Sequence, residues 1–339
     1  LGLGDGPNTT VGDWLARFGR WLATAGALIG IGAFAFAATS LVGTRREVLE
    51  AAFWVRRGGV LVVVGTIVEV VGLAAILAAS SSAGLASALT EATSGSFGVA
   101  VVLRIVGGLA MVRGTSLQAR PAATPAADAA NLRLPARPGQ GVGTITERET
   151  TADQTLHRLD IHGDWMAIAG LALVSIAFLF DGHTATAEPS FIVRTSSLIH
   201  AVAAGIWVGG VILMAQVLAR RRRSGAALEA GPMAIRFSRV ASVSLVAVAL
   251  AGAALAWSIR DSPGELLSTS WGRLLLLKLA AVGVAAGMGA YNHFVVIPVL
   301  EADGGDAAAS DHLRRITRVE AAVLIVVVGV TAVLVGAAS

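Results

Sequence analysis

The chain of 339 residues is 55% hydrophobic and only 14% charged, with a mean hydropathy of +0.73, which excludes an ordinary soluble domain and indicates a polytopic membrane protein. It contains no cysteine, so a disulfide framework, a thiolate zinc site, an iron–sulfur cluster and a cysteine nucleophile are excluded together. The net charge of +4 comes from arginines clustered beside apolar runs, where membrane topology accounts for them and nucleic acid is not needed as a partner.

The chain opens with "LGLGDGPNTTVGD", without Met and without a basic region ahead of the first apolar run. The expectation is a processed or truncated start, with 1–20 as an outer N-terminal segment. A helix crosses the hydrocarbon layer with about 20 apolar residues. Eight stretches qualify: 21–43, 59–79, 97–112, 165–180, 192–218, 238–259, 272–296 and 319–338. The expected fold class is therefore all-α, a membrane helix bundle of about eight transmembrane helices. The third and fourth stretches are short, but the charge pattern requires both.

Arginine marks cytoplasmic loops, and here it falls in alternate connections. Arg45, Arg46, Arg56 and Arg57 follow the first stretch, and Arg113 to Arg158 follow the third. Arg220 to Arg223 with Arg236 and Arg239 follow the fifth, and Arg314, Arg315 and Arg318 follow the seventh. The intervening "SSSAGLASALTEATSGS", "DGHTATAEPS" and "SIRDSPGELLSTS" carry almost no Lys or Arg, so both termini are expected outside. Residues 21–113 hold the first three spans of a four-helix half. Residues 114–160, with "RPAATPAADAANLRLPARPGQG", read as a flexible cytoplasmic linker. Five spans follow in 161–339.

Ionisable groups at membrane depth cost several kcal/mol unless paired or hydrated, so each is a functional candidate. Glu69 lies near the middle of the second span, with Gly65 and Gly72 about a turn to either side. Arg104, flanked by Gly107 and Gly108, falls at about the same depth when counted at ~1.5 Å per residue. Glu69 either pairs with Arg104 or ligates or relays a cation. Lys278 lies about two turns inside the seventh span and either snorkels outward or pairs with an acid. Further along that helix Gly283 and Gly287 suggest a close helix contact, ahead of "MGAYNHF" with Tyr291, Asn292 and His293 at the inner end.

His200 sits in "SSLIHAVAAGIWVGG", below an outer loop bearing Asp181, His183 and Glu188. Trp207 and Met214 follow it at seven-residue intervals and so share its face. Gly205 and Gly209 imply close packing on a neighbouring strip. The imidazole is either hydrogen-bonded across the bundle or part of a metal or proton site. Imidazole with carboxylate suits a divalent transition metal, whereas Met favours Cu(I).

At these residues the sequence resembles a known family. "DGHTATAEPSFIVRTSSLIHAVAAGIWVGGVILM", "IRFSRVASVSLVAVALAGAALAW" and "STSWGRLLLLKLAAVGVAAGMGAYNHFVVIPVL" resemble the CopD copper-resistance family of bacterial inner-membrane proteins. The resemblance covers about 160–339, making 161–339 a CopD-like half. It implies a multi-pass protein of the cytoplasmic membrane that moves or handles copper, partnered by, or fused behind, a CopC-like periplasmic copper-binding domain. His183 and His200 become the leading copper candidates, with Asp181, Met214 and His293 along the route. Trp207, Arg273, Lys278 and Asn292 are motif positions without an assigned role. The sequence departs from the family pattern in "GHTATA" and in His293, where Arg is common.

The leading expectation is copper import without enzymatic activity, the metal passing from the outer mouth to His200 and on towards Met214 or His293. No Walker-type glycine loop or DKTG-like motif is present, so no ATP site is implied. Two alternatives stand beside it: a haem or copper redox membrane protein, and a non-transporting copper-delivery or assembly subunit of a larger membrane complex. A bis-His haem needs two imidazoles at matched depth, and only His200 lies deep.

Overall fold

The computed structural model describes residues 10–80, 84–114, 118–121, 156–160, 165–180, 190–225, 230–259, 267, 269–302 and 307–337. The first helix, α1 (Val11–Thr39), begins well before the first apolar stretch because Thr10 and Asp13 cap each other. The Thr10 amide donates to Asp13 Oδ2 at 2.8 Å, and Thr10 Oγ1 accepts from the Asp13 amide at 3.3 Å, a reciprocal arrangement that satisfies two otherwise orphaned N–H groups. The supposed outer segment 1–20 is thus helical from residue 11.

Helix α2 (Arg45–Ser80) returns antiparallel to α1 and packs along most of its length. Glycine makes this possible: a methyl group at Gly65 would run into the Ala23 amide, and one at Gly72 into the Ala16 amide. Small residues in register let backbones meet where hydrocarbon offers no hydrophobic drive. After the short α3 (Leu85–Ala92), helix α4 (Gly95–Arg113) meets α2 at Gly59 and Gly108. It meets α5 (Trp165–Ala177) at Gly107 and Gly170. On the other side of α1, Gly32 abuts Gly205 and Gly209 of α6 (Ser190–Arg223). The result is a row in the order α5, α4, α2, α1, α6, stitched by backbone contacts.

Helix α6 then packs on α7 (Ala230–Ile259) and on α10 (Ala307–Ala337), while α8 (Ser270–Tyr291) lies chiefly against α10. Between α8 and α9 (Ile297–Ala302) the chain makes a π-helical turn, Asn292–Val296. The expected contact at Gly283 and Gly287 is not formed: no described atom lies within 4 Å of a Cβ built at either. Spacing marks a close approach only where a partner helix is present.

Six helices among the described residues are long and apolar enough to cross a membrane: Val11–Thr39, Arg45–Ser80, Gly95–Arg113, Phe191–Arg223, Ala230–Ser258 and Gly272–Ala302. Trp165–Ala177 is apolar but has 13 residues, and α10 contains the last predicted stretch. The architecture is an all-α multi-pass bundle.

Both α2, with 36 residues, and α6, with 34, are longer than a ~30 Å hydrocarbon layer requires at ~1.5 Å per residue. The Arg45 end of α2 and the Arg223 end of α6 lock together. Arg221 donates from Nε to Glu47 Oε1 at 2.7 Å and from Nη2 to Glu47 Oε2 at 3.0 Å, and reaches the Val42 carbonyl at 3.2 Å. Arg220 pairs with Glu50 beside it. A bidentate pair of this kind, with Arg221 only 7% exposed, contributes more than a solvated one. Arg221→Gln is expected to lower the thermal unfolding midpoint in detergent by several degrees. Arg222→Gln, whose 3.6 Å pair with Asp311 leaves the arginine 63% exposed, is expected to leave it nearly unchanged.

Beneath the α1–α2 turn, β1 (Gln118–Pro121) pairs antiparallel with β2 (His157–Asp160), with Pro121 opposite His157. His157 also exchanges backbone hydrogen bonds with Gly43, at 2.8 and 3.2 Å. Two short parts of the expected flexible linker are therefore paired to each other and to the bundle, and the rest of 114–160 beyond Gly114 and Leu156 lies outside the described residues.

Candidate intramembrane polar site

The α1–α2 seam carries the first buried charge cluster. Glu69, fully buried, accepts from Arg104 Nη1 at 2.9 Å and from Arg20 Nε at 2.7 Å. Arg104 is the partner expected from depth counting. Arg20 was not singled out, because it sits ahead of the first apolar stretch, yet the early start of α1 brings it level with Glu69. Two guanidinium groups on one carboxylate occupy both oxygens and leave a net positive charge. That arrangement holds three helices and offers no anionic ligand to a metal.

The histidines lie elsewhere. His200 on α6 places Nδ1 3.1 Å from the Val248 carbonyl on α7 and packs its ring against Gly252, where a Cβ would lie 3.1 Å from Cε1. A carbonyl only accepts, so the proton sits on Nδ1 and the ring donates it. The lone pair is left on Nε2, the tautomer that metal-binding imidazoles adopt when their other nitrogen is held by a carbonyl.

His293, in the π-helical turn, lies with Nδ1 2.6 Å from Ser238 Oγ on α7. Both imidazoles thus dock on one helix. Ser238 and Val248 are separated along α7 by about 15 Å at ~1.5 Å per residue.

Trp207 and Met214 are buried, at 4% and 5% exposure, but the face they share with His200 meets different neighbours. Trp207 lies beside Glu320 of α10, and Met214 joins the apolar core. Lys278 on α8 is half-buried. Asn292 is buried and its Oδ1 has no hydrogen-bond partner among the described residues. Arg273 is exposed in the first turn of α8.

Asp181, His183 and Glu188 lie outside the described residues. Among the described residues no three His, Asp or Glu side chains converge as a metal cage. The site they define is a pair of separated imidazoles, each anchored to α7.

A bundle of this kind, with ionisable groups held at membrane depth, defines a multi-pass helical membrane protein. The comparisons sharpen the class. Residues 231–334, which include almost all of α7, all of α8 and the π-helical turn, and most of α10, match the family model described as copper resistance protein D. The CopD resemblance is shown on that segment, which begins after His200 and Trp207.

Over 140 residues, 41% of this chain, the sequence is 31% identical to the inner membrane protein YebZ of Escherichia coli (strain K12). The alignment spans 45% of that relative's length. With its apolar helices, the chain is a multi-pass inner-membrane protein. No solved structure matches.

Proposed function

We propose that the protein imports copper across the cytoplasmic membrane without enzymatic turnover, copper being cargo rather than a resident cofactor. In this reading eight spans place both termini outside, and a CopC-like periplasmic protein or fused domain delivers the metal. It enters near Asp181 and His183, binds His200, and moves inward past Met214 to His293. The observation that carries the reading is the His200 tautomer: Nδ1–H is held by the Val248 carbonyl and Nε2 remains available inside an apolar bundle, a ready imidazole ligand for copper. The copper resistance protein D match over 231–334 supports the identity of the metal.

Copper accumulation in cells expressing the parent, His200→Ala and His183→Ala tests it, together with Trp257→Leu, a change at a position 87% exposed. Both histidine variants are expected to fall to the level of cells lacking the protein, and Trp257→Leu to match the parent. Equal copper flux through parent and His200→Ala in proteoliposomes would sink the route.

A further inference from the structure

Glu320 differs from every other buried carboxylate described above. Glu69 is clamped by two arginines and Glu47 by one, but Glu320, 3% exposed, lies beside Trp207 and, among the described residues, pairs with no cation. A buried carboxylate without a counter-charge is costly unless it takes up a positive ion or a proton.

Its surroundings supply more oxygen. Glu320 Oε1 faces α8 at Gly289, where a Cβ would lie 3.4 Å away. Helices α8 and α10 run antiparallel, so one turn beyond Gly289 and one turn before Glu320 reach the same level. The residues there are Asn292 and Thr317, at 6% and 0% exposure. Among the described residues, Asn292 Oδ1 and Thr317 Oγ1 have no hydrogen-bond partner. The π-helical turn begins at Asn292, and such turns recur at functional sites.

We infer that Glu320, Asn292 and Thr317 form an oxygen-donor site for a hard monovalent cation, sodium or hydronium, between α6, α8 and α10. Carboxylate, amide carbonyl and hydroxyl oxygens suit a hard ion and not Cu(I), so the site is chemically separate from the imidazole route and does not depend on it. One bound cation neutralises the carboxylate and gives both orphaned oxygens a partner.

The other ionisable groups on the elements packed against α10 are engaged elsewhere or exposed. On α6, His200 holds the Val248 carbonyl; on the π-helical turn, His293 holds Ser238; on α1, Arg20 holds Glu69. On α7, Arg236 donates to the Ser40 carbonyl at 3.0 Å and Arg239 is exposed. On α10 itself Arg314 pairs with Asp311, and Arg315 and Arg318 are exposed, as is Glu301 on α9. Lys278 lies three turns further out along α8.

The test is the thermal unfolding midpoint of the purified full chain in detergent. Choline chloride is exchanged for sodium chloride at constant ionic strength, at mildly acidic and mildly alkaline pH. Ligand linkage predicts a saturable rise of a few degrees when the native state alone binds the ion.

A rise with sodium in the parent that is absent in Glu320→Gln and weakened in Thr317→Val identifies sodium. A rise on acidification in choline that flattens in Glu320→Gln identifies the proton. Thr317→Val keeps the carboxylate and removes one donor oxygen, so it serves if Glu320→Gln fails to fold. It is expected to need more sodium, or a lower pH, for the same rise. A midpoint indifferent to sodium and pH, or one that moves equally in parent and variants, overturns the site.

Discussion

Glu69→Leu is expected to be the most damaging single charge change in the molecule, costing about 3–5 kcal/mol, the scale of breaking a buried ion pair by removing one partner. The variant removes the carboxylate that Arg104, 4% exposed, meets at 2.9 Å in the membrane interior. Arg20 loses the same partner but is 29% exposed and can turn its guanidinium outward along its aliphatic stem. Arg20→Met is therefore expected to cost far less than Glu69→Leu. The double variant Glu69→Leu/Arg104→Met is expected to recover much of the loss, because the buried charge goes with its partner. Membrane-inserted yield and the unfolding midpoint in detergent read all three. Equal midpoints for Glu69→Leu and the parent would show that the cluster holds nothing together.

The second large effect lies in the glycine stitching. A side chain at Gly32 meets the Gly205 carbonyl and the Gly209 Cα, and one at Gly65 meets the Ala23 amide. These are backbone atoms that no rotamer change can move aside. Gly32→Leu and Gly65→Leu are each expected to cost about 3 kcal/mol or more, at or beyond the upper end of overpacking penalties. Gly65→Leu is also expected to weaken the Arg20–Glu69 bond by pushing α2 off α1. Gly283→Leu, with no described neighbour, is expected to stay within about 0.5 kcal/mol of the parent. If Gly65→Leu unfolds at the parental temperature, the close approach of α1 and α2 is not what orders this half.

How much of this was legible in the sequence depended on which signal each feature left. Apolar runs located the helices, and depth counting paired Glu69 with Arg104, because both signals survive in a single chain read residue by residue. Arg20 escaped because hydropathy falls across "GDWLARFGR", which hid the early start of α1. The Thr10-x-x-Asp13 capping pattern was present there and would have revealed it.

Glu320 escaped for the opposite reason. It follows Arg318 at the start of the last apolar stretch and reads as an interface residue, yet α10 extends 13 residues upstream of it and the bundle closes over it. The π-helical turn at Asn292 inserts a residue into the helical period, and no periodicity announces it. His200 stands out in the sequence as an imidazole within an apolar run, but its partner, a backbone carbonyl ten residues beyond Ser238 on α7, carries no side-chain signature. Gly283 and Gly287 show the limit of small-residue spacing, which records that a helix permits approach and not that another helix arrives.

The pairing of Pro121 with His157 has a topological consequence. The chain leaves the bundle at Pro121 and returns to it at His157, so the two ends of the segment between them are tied to each other and, through Gly43, to the α1–α2 turn. Among the described residues the two groups of helices meet chiefly through α1 against α6, and that contact, with its glycines, sets their mutual placement.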